Sequence, residues 1–294
     1  MSRMIESVEH DRAADFSRIG RSGELVLDYV HQGSKTILTH SNSRSPWHFF
    51  PPILLDETGA AYTLLVNPSG GLVGGDHLDL RATLGPDSHV LFSTPSANRI
   101  YRSATEPARQ EIRLTVGAGA ILEWAPELTI PFLGSRFNQT LHVALEYGGT
   151  LILWDALAAG RIAKGERWRF TSFDNEIRVT TPSGRTVLER YSLSSDKVMC
   201  RAGLAEDWGY VASLFLLNEA VGDEVWKRLE EKVLPTLEDR QGRVLGGVSE
   251  PAVRGRIVKL MAKSAPDLNA TFESIWAAAR ALLWGLPFPA LRRY

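Results

Sequence analysis

Residues Asn67 to Asp76 read Asn-Pro-Ser-Gly-Gly-Leu-Val-Gly-Gly-Asp and lie between two extended runs, residues 61–66 and 77–84. The second run alternates apolar and polar side chains, which is the pattern of a half-buried strand. Glycine reaches left-handed backbone conformations without steric cost, so the two glycine pairs indicate a chain folded tightly back on itself. The stretch therefore predicts a strand, a special turn and a second strand, with Asp76 held where the turn becomes the strand.

A glycine-rich turn can also bind phosphate, but the residues that follow Gly75 argue against that function. A P-loop continues with Gly-Lys-Ser/Thr into a helix, and a dinucleotide site also needs a helix N-terminus. Here an acidic residue and a strand with period-two alternation follow instead. On chemistry alone, a bulged structural turn is the favoured interpretation.

Read as a whole, this turn is similar to the signature turn of the UreD (UreH) family of urease accessory proteins. Further motifs follow in that family's order: Thr94-Pro95-Ser96-Ala97, Tyr101-Arg102-Ser103, Leu122-Glu123-Trp124-Ala125-Pro126, Thr129-Ile130-Pro131-Phe132, Trp154-Asp155-Ala156-Leu157, Gly160-Arg161 and Gly165-Glu166-Arg167. Their order and spacing across the N-terminal two thirds of the chain carry the resemblance. The chain departs from the family pattern at Leu128, where many relatives have a glutamate, and at Arg99-Ile100, where a lysine is usual.

Composition places the chain among ordinary globular proteins. It has 294 residues, 44% of them hydrophobic, and a formal net charge of -1. That charge gives no general reason to expect nucleic acid or an acidic membrane as a partner. We expect a flexible N-terminal arm over residues 1–22 and a single UreD-like domain over residues 23–294. Within the domain, a β body extends to about residue 221, and a part with both helix and strand covers residues 222–294.

The single cysteine and the hydropathy pattern bear on location. Cys200 has no second cysteine to pair with, so an internal disulfide is excluded and an oxidising compartment is not implied. The first 23 residues contain no apolar signal-peptide core, and no apolar run approaches the roughly 20 residues needed to cross a bilayer. We therefore expect a cytoplasmic protein without membrane segments.

Short strands separated by glycine turns recur along the first two thirds of the chain. This spacing predicts a mainly β fold, either stacked sheets or an irregular β-solenoid-like body. Two helices are expected near the C-terminus. The first is predicted from Asp223 to Leu234, where Pro235 would stop it, and the second from Pro266 to Trp284, ended by Gly285.

Two aromatic stretches are candidates for contact with partners. Residues 47–50 read Trp-His-Phe-Phe between prolines, which places them on a sheet edge or in a loop, either capping a core or meeting a partner. The chain end is also rich in large apolar side chains, namely Trp276, Trp284, Leu286, Phe288 and Leu291. Exposed apolar patches usually mark interfaces, so we predict that both regions contribute to docking.

Catalytic motifs are scarce. The chain has no Gly-x-Ser-x-Gly elbow, Cys200 has no supporting local signature, and the histidines form no pair with zinc-type spacing. Acidic residues in apolar surroundings remain as candidates: Asp76, Glu123, Asp155 and Glu189. On the residues alone, Glu123 is interpreted as a solvent-facing strand residue, and Glu189 as the partner of Arg190 or another base. Asp76 and Asp155 are interpreted as carboxylates that accept backbone N–H bonds in turns.

The resemblance implies a different role for three of these residues. Family members are non-enzymatic maturation factors that join UreF and UreG and dock on apo-urease for nickel delivery. A water-filled passage is proposed within them, and motif by motif its acidic lining would include Asp76, Asp155 and Glu189. Nickel would be transient and no tightly bound cofactor is implied, because nickel prefers nitrogen or sulfur and is held loosely by carboxylates.

Two alternatives remain open at this point. A metal-dependent β-fold hydrolase would use the same carboxylates, but as ligands of fixed geometry around an open coordination position. A β-sandwich binding module would explain the aromatic stretch at residues 47–50. It would not explain the ordered motifs.

Overall fold

The chain winds back and forth between two β-sheets in a computed structural model that describes residues 22–289, apart from residues 105, 195–198, 200 and 202. Of the N-terminal arm expected over residues 1–22, residues 1–21 lie outside the described part, and Ser22 is already the first residue of a strand. Cys200 also lies outside the described residues.

The first sheet has the strand order β15-β14-β12-β9-β6-β1-β2. In chain order its strands are β1 (Ser22–Gln32), β2 (Lys35–Arg44), β6 (His77–Leu84), β9 (Ala108–Val116), β12 (Arg136–Leu145), β14 (Ser172–Thr180) and β15 (Thr186–Leu193). The five strands from β1 to β14 in this order run parallel to one another, and antiparallel strands flank them.

The second sheet has the main order β17-β18-β16-β13-β10-β7-β5-β3, with three short strands attached beside it. Its strands are β3 (His48–Phe49), β4 (Ile53–Leu54), β5 (Ala61–Val66), β7 (His89–Ser93), β8 (Asn98–Ile100), β10 (Ile121–Ala125), β11 (Thr129–Pro131), β13 (Thr150–Ala158), β16 (Tyr210–Leu217), β17 (Val244–Ser249) and β18 (Gly255–Ala262). The aromatic stretch at residues 47–50 supplies β3 at the end of this order, so its predicted place on a sheet edge is confirmed.

From β5 to β14 the longer strands alternate between the two sheets, which gives the body its solenoid character. The pairs β5–β6, β7–β9, β10–β12 and β13–β14 each place one strand in each sheet, and strands from successive coils stack in parallel. The prediction of a mainly β, irregular solenoid-like body is therefore confirmed.

The space between the sheets holds the larger hydrophobic core. Along the five parallel strands of the first sheet every second side chain is buried over most of the strand, as the period of two requires. Across the five parallel strands, one rung of this ladder consists of Leu25, Leu80, Ile112, Leu141 and Ile177. All five are buried, so their aligned packing holds the coils in register.

Two helices cover the other face of the second sheet: α1 (Asp223–Glu238) and α2 (Ala265–Trp284). The prediction that Pro235 ends the first helix is wrong, because the helix continues for three further residues. Leu237, in that extra turn, is buried in the cluster between helices and sheet, and this packing retains the turn. The second helix begins after Ser264, whose hydroxyl accepts the Asp267 N–H, and ends at Gly285 in a left-handed conformation.

The second sheet is buried on both faces, on one by the first sheet and on the other by the two helices. Trp154 on β13 stacks on Phe272 of α2, with ring centroids 4.2 Å apart. Leu151 and Leu153 on the same strand face the core between the sheets instead. A strand buried on both faces reads as a continuous apolar run, and Asp155 interrupts that run.

Candidate functional site

The glycine turn forms a corner of the solenoid and stacks on the next coil. Leu72 donates its N–H to the Arg99 carbonyl and accepts the Tyr101 N–H, both at 2.8 Å. A Cβ atom on Gly71 would lie 2.3 Å from the Arg99 carbonyl oxygen, so the close approach requires glycine. Asp76 accepts the Val73 N–H at 2.8 Å, as the residue-based interpretation predicts.

A cavity of about 90 Å³ lies between the two sheets, beside this corner. Its walls combine tryptophan and aliphatic side chains with polar groups that include Asn98, Gln110, Glu127, Gln139 and Asp155. A space of this size with several hydrogen-bonding groups has room for several water molecules.

Asp155 lies at the polar end of the cavity. It is in the middle of β13 and not in a turn, and it accepts the Gln139 amide at 3.0 Å and the Asn175 amide at 2.9 Å. The interpretation as a turn carboxylate that accepts backbone N–H groups is therefore wrong. Burial raises the pKa of Asp155 to about 6, and the charge of Glu189 adds to this rise, although the Gln139 hydrogen bond opposes it.

Glu189 on β15 is buried and faces the second sheet. It accepts the Ser213 hydroxyl at 2.7 Å, and Lys259 Nζ lies 2.7 Å from its other carboxyl oxygen. The expected ion pair with a base is confirmed, and the base is Lys259. Arg190 instead pairs with Glu176.

A second cavity of about 350 Å³ begins at this carboxylate. Glu189, Tyr191, Ser213 and Lys259 line it together with methionine and aliphatic side chains. Tyr191 also interacts with Asp155, and its pKa is raised well above the usual value, first by burial and then by the charges of Asp155 and Glu189. Contact between Asp155, which lines the first cavity, and Tyr191, which lines the second, therefore connects the linings of the two cavities.

The structure brings together two of the three residues predicted to line a passage. The charge of Glu189 reaches Asp155 and helps to raise its pKa, and Ser213 lies opposite Asp155 in the strand register. Among the described residues that line either cavity, Asp76 is not included, although Gly70 and Gly71 of the same turn line the first. A metal-contacting role for Asp76 stays a prediction.

Glu123 is the acidic residue that the sequence interpretation places wrongly. It is fully buried and interacts with His89 at 2.6 Å and with Trp276 and Arg280 of α2. Burial is the largest influence on the Glu123 carboxyl and acts to raise its pKa. The hydrogen bond and charge of His89, together with Arg280, outweigh burial, so the pKa lies below its usual value. The alternation in the sequence is real, but the face that it assigns to solvent is covered by α2.

A group of possible metal ligands that the sequence search missed lies on the outer face of the first sheet. Ligand atoms of His77, Asp79 and Glu111 all lie within 4.8 Å of one another. Arg113 holds a carboxyl oxygen of Asp79 at 2.6 Å and also contacts Glu111, and Arg81 lies 3.1 Å from Asp79. Both carboxylates are therefore already paired with arginine side chains. Strand register, not sequence spacing, brings the three residues together.

The aromatic candidates for docking divide into buried and exposed members. Trp47 is buried in the core, whereas Phe50 is 57% exposed. At the chain end, Trp276 is fully buried and Phe288 packs against it with ring centroids 5.1 Å apart. The expectation of excess exposed apolar surface is therefore wrong for Trp276, and Leu291 lies outside the described residues.

Comparison with known proteins decides the family. A family model described as UreD urease accessory protein matches residues 21–294. The chain belongs to the UreD family. The resemblance that the ordered motifs carry is thereby confirmed.

Individual relatives cover nearly the whole chain. The urease accessory protein UreD of Paracidovorax citrulli (strain AAC00-1) is 30% identical over 265 residues, which cover 89% of this chain and 94% of that protein. The urease accessory protein UreD of Mycolicibacterium gilvum (strain PYR-GCK) is 32% identical over 266 residues, covering 88% and 93%. Membership of the UreD family supports a role in urease maturation, and the name accessory protein is consistent with a role outside catalysis.

The two departures from the family pattern can now be placed. Leu128 is buried, and the neighbouring Glu127 lines the first cavity. The backbone carbonyl of Arg99 receives the N–H of Leu72 at the glycine corner. Within the described residues, no helix is both long and apolar enough to span a membrane.

Proposed function

We propose that this UreD-family chain is a non-enzymatic urease maturation factor that joins UreF, UreG and apo-urease. In this proposal it passes nickel through its interior toward the urease active site. The observation that supports it is a row of polar groups between the sheets, which we call the polar row and which consists of Gln139, Asn175, Asp155, Tyr191, Ser213 and Glu189. Asp155 and Glu189 are the acidic members of this row, and Asp155 lines the first cavity whereas Glu189 lines the second.

The oxygen ligands of this row suit a nickel ion that passes through the protein without being retained. Carboxylate oxygens are weak ligands for nickel, and amide oxygens and water can complete a loose coordination shell. Two neighbouring carboxylates in surroundings of low dielectric constant also attract a divalent cation more strongly than they would in water. A cation would therefore enter readily and leave without breaking strong bonds.

The same contacts argue against the hydrolase alternative. A catalytic metal needs several ligands of fixed geometry and an open position. Both carboxyl oxygens of Asp155 accept amide hydrogen bonds, and Glu189 is engaged by Ser213 and Lys259. This arrangement offers a cation temporary contacts rather than a rigid coordination site.

The test substitutes Asp155 with leucine, which removes the charge and narrows the passage. Asp155→Ala removes the charge but leaves other oxygens in place, so its effect should be partial. Asp174→Leu is the matched control, because Asp174 lies on the outer face of the first sheet beside Ser192. Urease activity is measured after co-expression in limiting nickel, together with a pull-down of UreF, UreG and apo-urease.

We expect Asp155→Leu to lose most urease activation while the complex still assembles, and Asp174→Leu to retain both. Loss of activity together with loss of assembly would assign Asp155 a structural role. Full activity of Asp155→Leu would refute the passage at this residue.

A further inference from the structure

Lys259 occupies the outer end of the polar row. Ser213 on β16 lies opposite Asp155 on one side and opposite Lys259 on the other, so the three residues form one rung of the second sheet. Residues paired in this way have side chains on the same face within about 5.5 Å of each other. Lys259 therefore extends the polar row to the second cavity, where its Nζ lies 2.7 Å from a carboxyl oxygen of Glu189.

The two side chains of the Lys259–Glu189 ion pair differ strongly in their exposure to solvent. The lysine side chain is 62% exposed, whereas that of Glu189 is 8% exposed. A buried carboxylate without a partner is costly, so some cation must stay beside Glu189. An exposed lysine on a flexible stem loses little when it moves into water, because surface ion pairs contribute little free energy. The carboxylate thus needs a cation, and the lysine is easily exchanged.

We propose that Lys259 is a tethered counter-cation that occupies the Glu189 site until a divalent cation displaces it. This inference rests on the proposed function, because it assigns a regulating residue to the same passage. When the cation arrives, the ammonium group moves into solvent and the cation takes its place between Glu189 and the Ser213 hydroxyl. When the cation leaves, the lysine returns, so Glu189 is never left unpaired. Competition from Lys259 lowers the affinity of the Glu189 site for the divalent cation and thereby promotes release of that cation.

The test measures binding of Ni²⁺ to the purified full chain by isothermal titration calorimetry at low ionic strength. Lys259→Met keeps the aliphatic stem and removes the competing charge. Lys263→Met is the matched control, because Lys263 forms a similar surface ion pair, 2.9 Å from Asp207, away from Glu189. Lys259→Gln is a second variant in case the methionine disturbs folding, and thermal unfolding is recorded for each protein.

We expect Lys259→Met and Lys259→Gln to bind Ni²⁺ roughly five- to tenfold more tightly than the unsubstituted chain, as removal of one competing ion pair allows. Lys263→Met should not change the affinity. Adding Glu189→Gln to Lys259→Met should abolish the gain. Unchanged affinity, or a gain that survives Glu189→Gln, would overturn the proposal and make Lys259 a structural partner only.

Urease activation separates this inference from the proposed function. Suppose that Asp155→Leu leaves urease activation intact while Lys259→Met still tightens Ni²⁺ binding through Glu189. The exchange of Lys259 for a cation is then supported, and the passage at Asp155 is refuted. If Asp155→Leu abolishes activation and Lys259→Met has no effect on binding, the passage stands and the exchange fails.

Discussion

Glu123 on β10 and Arg280 on α2 form an ion pair in which both side chains are excluded from solvent, although 157 residues separate them in the chain. His89 and Trp276 contact the same carboxylate, and Arg280 also donates to the Pro287 carbonyl at 2.7 Å. The network fastens the second helix and the segment after it to the second sheet. A buried charge that loses its partner is expensive, which makes this network essential to the α2 interface.

The first prediction concerns this network. Arg280→Met should lower the free energy of unfolding by about 3–5 kcal/mol, because it removes the arginine partner of a fully buried carboxylate and leaves only His89 and Trp276 beside it. Chemical denaturation of the purified chain measures the change. Arg243→Met is the matched control, since Arg243 pairs with Asp267 at the surface, and it should cost less than about 1 kcal/mol. Similar losses in the two variants would contradict the assigned role of the buried pair.

A second prediction separates two reasons for glycine in the corner turn. Gly75 has a φ of +87°, a conformation that a β-branched residue avoids. A Cβ on Gly74 would lie 2.7 Å from the Glu106 carbonyl oxygen, so its constraint is steric. Both Gly74→Val and Gly75→Val should lower the thermal unfolding midpoint.

The control for this prediction is Gly247→Ala, because a Cβ there would meet nothing within 4 Å. It should leave the unfolding midpoint nearly unchanged. Midpoints equal to that of the unsubstituted chain in both valine variants would remove the argument that the turn depends on glycine.

The fold was largely predictable because its determinants are local. Period-two alternation, as in residues 77–84, and the glycine turns between strands indicated the mainly β body without any knowledge of pairing. The end of α1 was not predictable, because tertiary packing of Leu237 outweighs the local effect of Pro235.

The candidate site was less predictable because its contacts join distant segments. Alternation placed Glu123 on the correct face of β10, but the sequence does not show that α2 covers that face. The meeting of Glu189 with Lys259 depends on how the two sheets stack. The family resemblance, rather than any local pattern, singled out Asp155 and Glu189.

A third prediction concerns docking of UreF, which we place at the edge formed by β3 and β4. Phe50, Ile53 and Leu54 are each more than half exposed there, so this edge presents several large apolar side chains to solvent. Phe50→Ser combined with Ile53→Ser should weaken UreF capture in a pull-down at least several-fold, as loss of an apolar anchor does.

Leu245→Ser supplies the matched control for docking. Leu245 is comparably exposed but lies on β17, at the opposite end of the same sheet. It should leave UreF capture intact. A loss confined to Leu245→Ser would move the interface to that end. Truncation after Gly285 is a poorer test, because it removes Phe288 from Trp276 and the Pro287 carbonyl from Arg280.

The last prediction uses the titration of Asp155. Its pKa is about 6 in the folded chain, whereas an aspartate in an unfolded chain has a pKa of about 3.9. Between these values the folded state retains a proton that the unfolded state has lost. The stability that this group contributes is therefore fully present below about pH 4 and is lost as the pH rises through about 6.

Asp155→Asn should remove this dependence, since the amide carries no charge at either pH. Relative to the unsubstituted chain, the variant should become more stable by at most about 3 kcal/mol when the pH is raised from 4 to 7.5. Urea denaturation at both pH values measures this difference, and Asp174→Asn on the outer face of the same body serves as the control. If the stability difference for Asp155→Asn is the same at both pH values, burial does not raise the pKa of Asp155. The carboxylate would then be more solvated than its position between the sheets implies, and its attraction for a cation would be correspondingly weaker.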